Sequence, residues 1–182
     1  MKKVYFLVAV LFTCLISGQN KENPLIILDS KKIGLMNEVQ SILEPINPND
    51  ISTMSVYKGD DASQKYGSKS GVIIITTKKF ILETFYKNNI ESSPLKKEIP
   101  TTADLVKIGV IANIKSGTMT TTTKSDGKNQ PYDQLSKYVD TNIINEKIQK
   151  ISSIVFIKPS DSEKIKSDWK FGALEITSSV TE

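Results

Sequence analysis

Histidine and arginine are absent from the 182 residues, and cysteine occurs once, as Cys14. Without histidine there is no Ser-His triad and no Cys-His dyad. With the lone thiol inside an apolar N-terminal stretch, the rest of the chain can form neither a disulfide nor a zinc-thiolate site. The 24 basic residues are all lysines, and no dense basic run occurs. Arginine is the preferred side chain for bidentate phosphate and base-edge contacts, so its absence argues against nucleic-acid recognition. The formal charge is +4, but Lys2 and Lys3 lie in the leader, and the remaining 22 lysines face 20 acids. The sequence pI of about 9.0 therefore overstates the basic character.

Long hydrophobic runs are also scarce. The first follows Met1-Lys2-Lys3 and covers Val4 to Ile16, before small Ser17-Gly18 and polar Gln19-Asn20. A short positive region, an apolar core and small residues are the layout of a secretory signal peptide, expected over 1–18 with cleavage near Gly18. The apolar core falls short of the ~20 residues of a membrane span, and no later stretch has the length for a transmembrane helix. Leu11 stands three residues before Cys14, as in a lipobox. Bulky Phe12, Thr13 before the cut, and the continuing Leu15-Ile16 argue against a lipid anchor at Cys14. The expectation is an exported protein, periplasmic or outer-membrane associated. Cleavage would leave roughly 160 residues, enough to bury a core.

Leu25–Leu28 reads as a buried strand closed by Asp29-Ser30. Leu35, Met36, Val39, Ile42 and Leu43 then recur at helical spacing and predict a helix ended by Pro45. Asn47-Pro48-Asn49-Asp50 is turn chemistry, one short helical turn leading into a strand over Ile51–Lys58. Asp60-Asp61 open a short helix to Tyr66, with Gly67 as a left-handed cap. The β-branched run Val72–Thr77 predicts a central strand buried on both faces. Phe80–Asn89 predicts a helix. Pro94 and Pro100 break the chain, placing a connecting segment over 81–103. Beyond it come a strand over Val110–Lys115 and an exposed, Thr-rich hairpin or loop over Ser116–Pro131. Tyr132, Leu135, Tyr138, Val139 and Ile143 predict a second amphipathic helix. Ile154–Ile157 reads as a strand, and Ser160-Asp161-Ser162-Glu163 as a capping box opening a helix. Ala173–Thr177 is the closing strand.

The two halves align. Ile51, Ser52, Met54, Val56, Tyr57, Lys58 and Asp61 match Ile151, Ser152, Ile154, Phe156, Ile157, Lys158 and Asp161 at a constant shift of 100 residues. One inserted residue later, Gly71, Ile75 and Thr76 match Gly172, Ile176 and Thr177. Order, spacing and a single insertion together indicate an internal repeat. Glu175 falls where the first copy has Ile74, which suggests an edge strand with one solvated face.

The first copy resembles the plug domain of TonB-dependent outer-membrane receptors of the Bacteroidetes type. The resemblance is carried by Pro24-Leu25-Ile26-Ile27-Leu28-Asp29, Asn47-Pro48-Asn49-Asp50-Ile51, Val56-Tyr57-Lys58, Ala62-Ser63, Tyr66-Gly67-Ser68 and Gly71–Lys78, in order over Pro24 to Lys79. Ser30 departs from the glycine usual after the Asp turn. In those receptors a large β-barrel follows the plug; here the chain ends at Glu182, so the resemblance implies the fold and a cell-envelope setting without the transport function. The motif positions Asp29, Asn47, Pro48, Asn49, Asp50, Lys58, Tyr66, Gly67, Gly71 and Thr76 are read as fold-determining rather than catalytic. The expected architecture is α+β: a plug-like module over 22–80, the connector, and a degenerate second module over 104–182. Each module runs strand-helix-strand-helix-strand around a small mixed sheet.

Other candidates for chemistry are outweighed by simpler roles. Asp60-Asp61 fit a helix cap better than paired acids. Ser55 and Lys58 have Ser-x-x-Lys spacing, but on a strand they fall on opposite faces. Asp161, Glu163 and Asp168 lack calcium-loop spacing and read as solvated charge. Trp169 and Phe171 fit packing over a sheet edge better than a binding anchor. Thr118 and Thr120–Thr123 fit an exposed loop better than a partner-binding edge. No catalytic residue, cofactor or metal is expected. The expected function is that of a non-catalytic envelope protein binding a partner protein or ligand, such as an outer-membrane receptor component. The alternatives are a purely structural module with no ligand and, third, a carboxylate-only hydrolase, for which no acid pair at suitable separation stands out.

Overall fold

The computed structural model describes residues 23–125, 131–144 and 148–179. The leader, its cleavage point and Cys14 lie outside these. The chain divides into two compact units between Thr76 and Thr77.

The first unit is built on one four-stranded sheet of order β2-β1-β4-β3, from β1 (Leu25–Leu28), β2 (Lys31–Leu35), β3 (Ile51–Tyr57) and β4 (Val72–Thr77). β1 runs parallel to β4, with Leu25 opposite Val72 and Leu28 opposite Ile75. β1 and β2 form an antiparallel hairpin. Its two turn residues, Asp29 and Ser30, both take positive φ, 49° and 61°. That conformation matches the right-handed twist of the flanking strands, and Asp tolerates it better than most residues. The hairpin corrects the helix expected from Leu35 to Leu43: Lys31–Leu35 is a strand, and only α1 (Gln40–Leu43) is helical. The helical spacing had a different cause. Met36, Val39, Leu43 and Ile46 come from a mostly irregular return segment and pack on Ile26, Ile73 and Ile75. A single 3-10 turn (Pro48–Asp50) enters β3, and α2 (Gly59–Tyr66) links β3 to β4, ending at left-handed Gly67 as expected.

The second unit repeats this plan. Its sheet has the order β6-β5-β8-β7, from β5 (Gly109–Ser116), β6 (Met119–Lys124), β7 (Lys150–Ile157) and β8 (Ala173–Ser179). β5 runs parallel to β8, β5–β6 is a hairpin, and α6 (Pro159–Ile165) links β7 to β8. Position by position, β5 stands for β1, β6 for β2, β7 for β3 and β8 for β4. One pair of glycines shows how closely the plans agree. Gly71 and Gly172, which precede β4 and β8, have φ of 91° and 99°. A Cβ would lie 3.1 Å from the Tyr57 carbonyl in one and 2.9 Å from the Ile157 carbonyl in the other. Tyr57 and Ile157 are themselves repeat partners. Only glycine accepts both the backbone conformation and the close approach.

The second unit adds a layer. α3 (Lys78–Asn89) starts at Thr77, whose Oγ1 accepts a hydrogen bond from the Phe80 amide at 3.1 Å. Its apolar stripe, Ile81, Leu82, Phe85 and Tyr86, joins Ile90 and Ile99 in one core with Val110, Ala112, Leu174 and Ile176. The single Tyr86 O–H is shared between the Ile99 and Pro100 carbonyls, tying the turn after α3 back onto it. The stretch 81–103, expected to be a connector, is therefore core structure, because the helix puts four large apolar residues on one face. α4 (Thr102–Leu105) leads into β5.

The architecture is α+β with two small mixed four-stranded sheets. The first unit has one more strand than expected, the second arm of its hairpin, and of the hairpin or loop expected after β5 in the second unit the structure has the hairpin. The amphipathic helix expected to reach Ile143 is also shorter. α5 (Tyr132–Leu135) passes into one 3-10 turn (Ser136–Tyr138), Val139 is extended and Ile143 has φ of 62°. Leu135, Tyr138 and Val139 still reach the core.

Candidate binding surfaces

The motif residues do not converge on one site. Asp29 is in the hairpin turn, and Asn47 caps the 3-10 turn by accepting from the Asn49 amide at 3.0 Å. Pro48, Asn49 and Asp50 form that turn, and Lys58 precedes α2. Tyr66 closes α2 with its ring centroid 5.3 Å from that of Tyr57, Gly67 and Gly71 flank the following turn, and Thr76 is buried in β4. They mark turns, caps and core positions along the first sheet.

Both expected caps are corrected. No side chain caps α2 or α6. Lys58 and Lys158 occupy the N-cap positions, and the acids act from the first turn, where Asp60, Asp61 and Asp161 favour the positive helix end. Pro159 takes the first helical position of α6, so the helix begins before Ser160 and leaves that serine no capping role. Asp161 lies 2.7 Å from Lys164, and Lys166 lies 3.6 Å from Asp168, both pairs on the surface. Hydrogen bonding from Lys164 holds the Asp161 carboxyl below the ordinary carboxylate range. At Asp104, hydrogen bonds from Thr101 and then Lys107 do the same. Ser55 is exposed on β3, and Lys58 follows that strand at the N-cap of α2.

The two sheets differ most on the face turned away from their main cores. In the first sheet this face carries Ile27, Ile74 and Thr76, all buried. In the second, the matching positions are Ile111, Glu175 and Thr177. Here Thr122 Oγ1 donates to Asn113 Oδ1 at 2.7 Å, and Asn113 Nδ2 donates to Glu175 Oε1 at 2.8 Å. One row of side chains thus runs across β6, β5 and β8. Thr122 is exposed, Asn113 and Glu175 are half-buried, and Val155, opposite Glu175 on β7, is exposed. Lys124, opposite Ile111, and Lys115 extend the row's margins. Glu175 is consequently not on an edge strand. β8 lies between β5 and β7, and the solvated face inferred from Glu175 belongs to the interior of the sheet.

The same face is closed at one end by Trp169. Its ring covers Gly109, where a Cβ would fall 2.2 Å away, and it packs with Ile111 and Ala173. This corrects the expected packing over a sheet edge, because β5 and β8 are the central strands. Phe171 projects beyond it and is exposed, with Lys107 Nζ 6.0 Å from its ring. The Ser162 hydroxyl donates to the Trp169 carbonyl at 2.7 Å and holds the turn against α6. Opposite, on the core side, Thr123 donates to Gln134, and Lys137 donates to both. Burial pushes the Lys137 ammonium below the usual lysine value, partly offset by Asp133. Thr120–Thr123 lie on the edge strand of the hairpin, the first of the two forms expected for this stretch, and Thr118 sits in its turn.

Sequence reading missed the Thr122-Asn113-Glu175 row. Its signal was the single acid in an otherwise apolar β8, and only the strand order says which residues stand beside it. Among the described residues, no three His, Cys, Asp or Glu side chains come together as metal ligands, and no helix is long and apolar enough to cross a membrane.

No family model, no curated protein and no solved structure matches the chain.

Proposed function

We propose that this chain is a non-catalytic, exported cell-envelope protein, built of two plug-like modules, that binds a partner protein or ligand in the periplasm or at the outer membrane. The supporting observation is the open face of the second sheet. A position that is Ile74 in a buried face of the first unit is Glu175 in the second, hydrogen-bonded to Asn113 and bordered by exposed Thr122 and Val155. Side-by-side donors, acceptors and one exposed aliphatic group form a recognition surface rather than a proton-transfer site: the row contains one carboxylate and no nucleophile-base pair. The leader and the ordered plug-like motifs support the envelope setting.

The test places a photo-reactive side chain at Thr122 and, as a control, at Lys87 on α3, in the protein as cells export it. The expected result is a discrete adduct from position 122, competed by unlabelled protein and lost with Glu175→Ala. No adduct from position 122, or identical adducts from both positions, would sink the proposal.

A further inference from the structure

Each sheet ends in two strands, and three of the four outer strands carry features that discourage pairing. β2 holds Lys31 and Lys32 beside an irregular register with β1. β6 ends in Lys124. β7 begins with Lys150 and has a register irregularity between Ile151 and Ser153. Lysines and irregularities of this kind are how proteins blunt sheet edges. β3 has neither charge nor proline over its seven residues, and 53–56 are all exposed, with Val56 at 54%.

We propose that β3 pairs with β3 of a second copy of this chain, antiparallel, about a twofold axis centred on Met54. A twofold axis perpendicular to the sheet keeps each face continuous, so the axis must pass through a residue position. Centring on Met54 sets Thr53 opposite Ser55, Ser52 opposite Val56 and Ile51 opposite Tyr57. Small hydroxyl pairs and aromatic–β-branched pairs are favourable across strands. The same register brings exposed Lys58, just past the end of β3, toward exposed Asp50 in the 3-10 turn that leads into β3 of the other copy, at both ends of the ribbon. Centring on Ser55 would instead oppose Asp50 to Asp60, and centring on Thr53 would set Asp50 against Val56. Charge thus selects one register of three. The contact is small, so the dimer is weak and concentration-dependent.

Sedimentation velocity over a concentration series, on the protein as exported, reads the association directly. Lys58→Asp or Asp50→Lys alone is expected to weaken dimerisation about tenfold, since each replaces two attractive pairs by repulsive ones. The double variant Lys58→Asp/Asp50→Lys is expected to restore it. Val56→Lys, on the exposed edge, is expected to abolish it while the circular dichroism melt stays unchanged. A monomer at every concentration, a dimer indifferent to the single reversals, or a double reversal that fails to rescue would each overturn the proposal. These outcomes leave the open face of the second sheet unaffected, because no altered residue lies on it.

Discussion

The two sheets share strand order, parallel centre, hairpin edge and crossing helix, yet they treat their second face in opposite ways. In the first, Ile27, Ile74 and Thr76 are removed from solvent. In the second, Trp169 covers only the end at Gly109 and Ala173, and beyond Ile111 the face becomes polar and partly open. The backbone plan therefore does not dictate which faces are covered. The main core is what both units keep: Ile26, Ile73 and Ile75 in one, Val110, Leu174 and Ile176 in the other. The second unit also carries a further layer, in which fully buried Phe85 and its neighbours enlarge the main core.

Exchanging residues between matched positions sharpens this contrast. Ile74→Glu places an unpaired carboxylate at a position only 4% exposed. It should cost about 3–5 kcal/mol, or leave the first unit unfolded, as read by chemical denaturation. A loss below about 1 kcal/mol would show that the face opens readily. The glycine pair comes next. Gly172→Ala meets the Phe156 ring at 2.5 Å and the Ile157 carbonyl at 2.9 Å, closer than a Cβ can sit, whereas Gly71→Ala is tight only against the Tyr57 carbonyl, at 3.1 Å. Both carry the strain of positive φ, so losses of about 2–4 and about 1–2 kcal/mol are expected, in that order. The reverse order would mean the two turns are less alike than their geometry.

Glu175→Ile gives the second unit the first unit's residue. It forfeits one half-buried hydrogen bond and adds apolar surface to a partly open face, so stability should move by less than about 1 kcal/mol. Its effect should appear instead in partner cross-linking from position 122. The smallest effect concerns acid. Asp104 and Asp161, both in the second unit, have carboxyls held below their ordinary pKa. A depressed folded pKa contributes stability above the unfolded value and loses it as pH falls through the folded one. Unfolding followed from neutral pH down through the carboxylate range should show a slightly shallower acid loss in the Asp161→Asn variant, with both groups exposed and therefore weak.

Much of this fold is legible from residues that act locally. The β-branched run Val72–Thr77 is a central strand because nothing else buries four consecutive large residues so well. Gly67 and Gly71 sit where backbone conformation demands them. The repeat partners Tyr57 and Ile157 end matching strands. What stayed hidden depends on chain direction at a turn. Asp29-Ser30 reads as the end of a strand, but whether the chain then coils or folds back is decided by two positive φ angles that neither residue requires. Without β2, the apolar residues from Leu35 to Leu43 have the spacing of one helix. The site suffered from the same gap, since Glu175 is visible in the sequence but Asn113 and Thr122 become its neighbours only through the strand order.

The parallel pairs at the two sheet centres also constrain how the chain reaches this fold. Leu25 has to meet Val72, and Gly109 has to meet Ala173, before either sheet has a middle. Hairpins close in microseconds, so β1–β2 and β5–β6 assemble early, while each centre waits for a distant strand. The entropy of closing a loop grows only slowly with its length, and the two closures cost nearly the same. β4 and β8, the strands that each centre waits for, are the ones that carry Ile74 and Glu175. Until they dock, the first unit holds an apolar strand in water and the second a half-polar one, so the nascent first unit is the more exposed to aggregation.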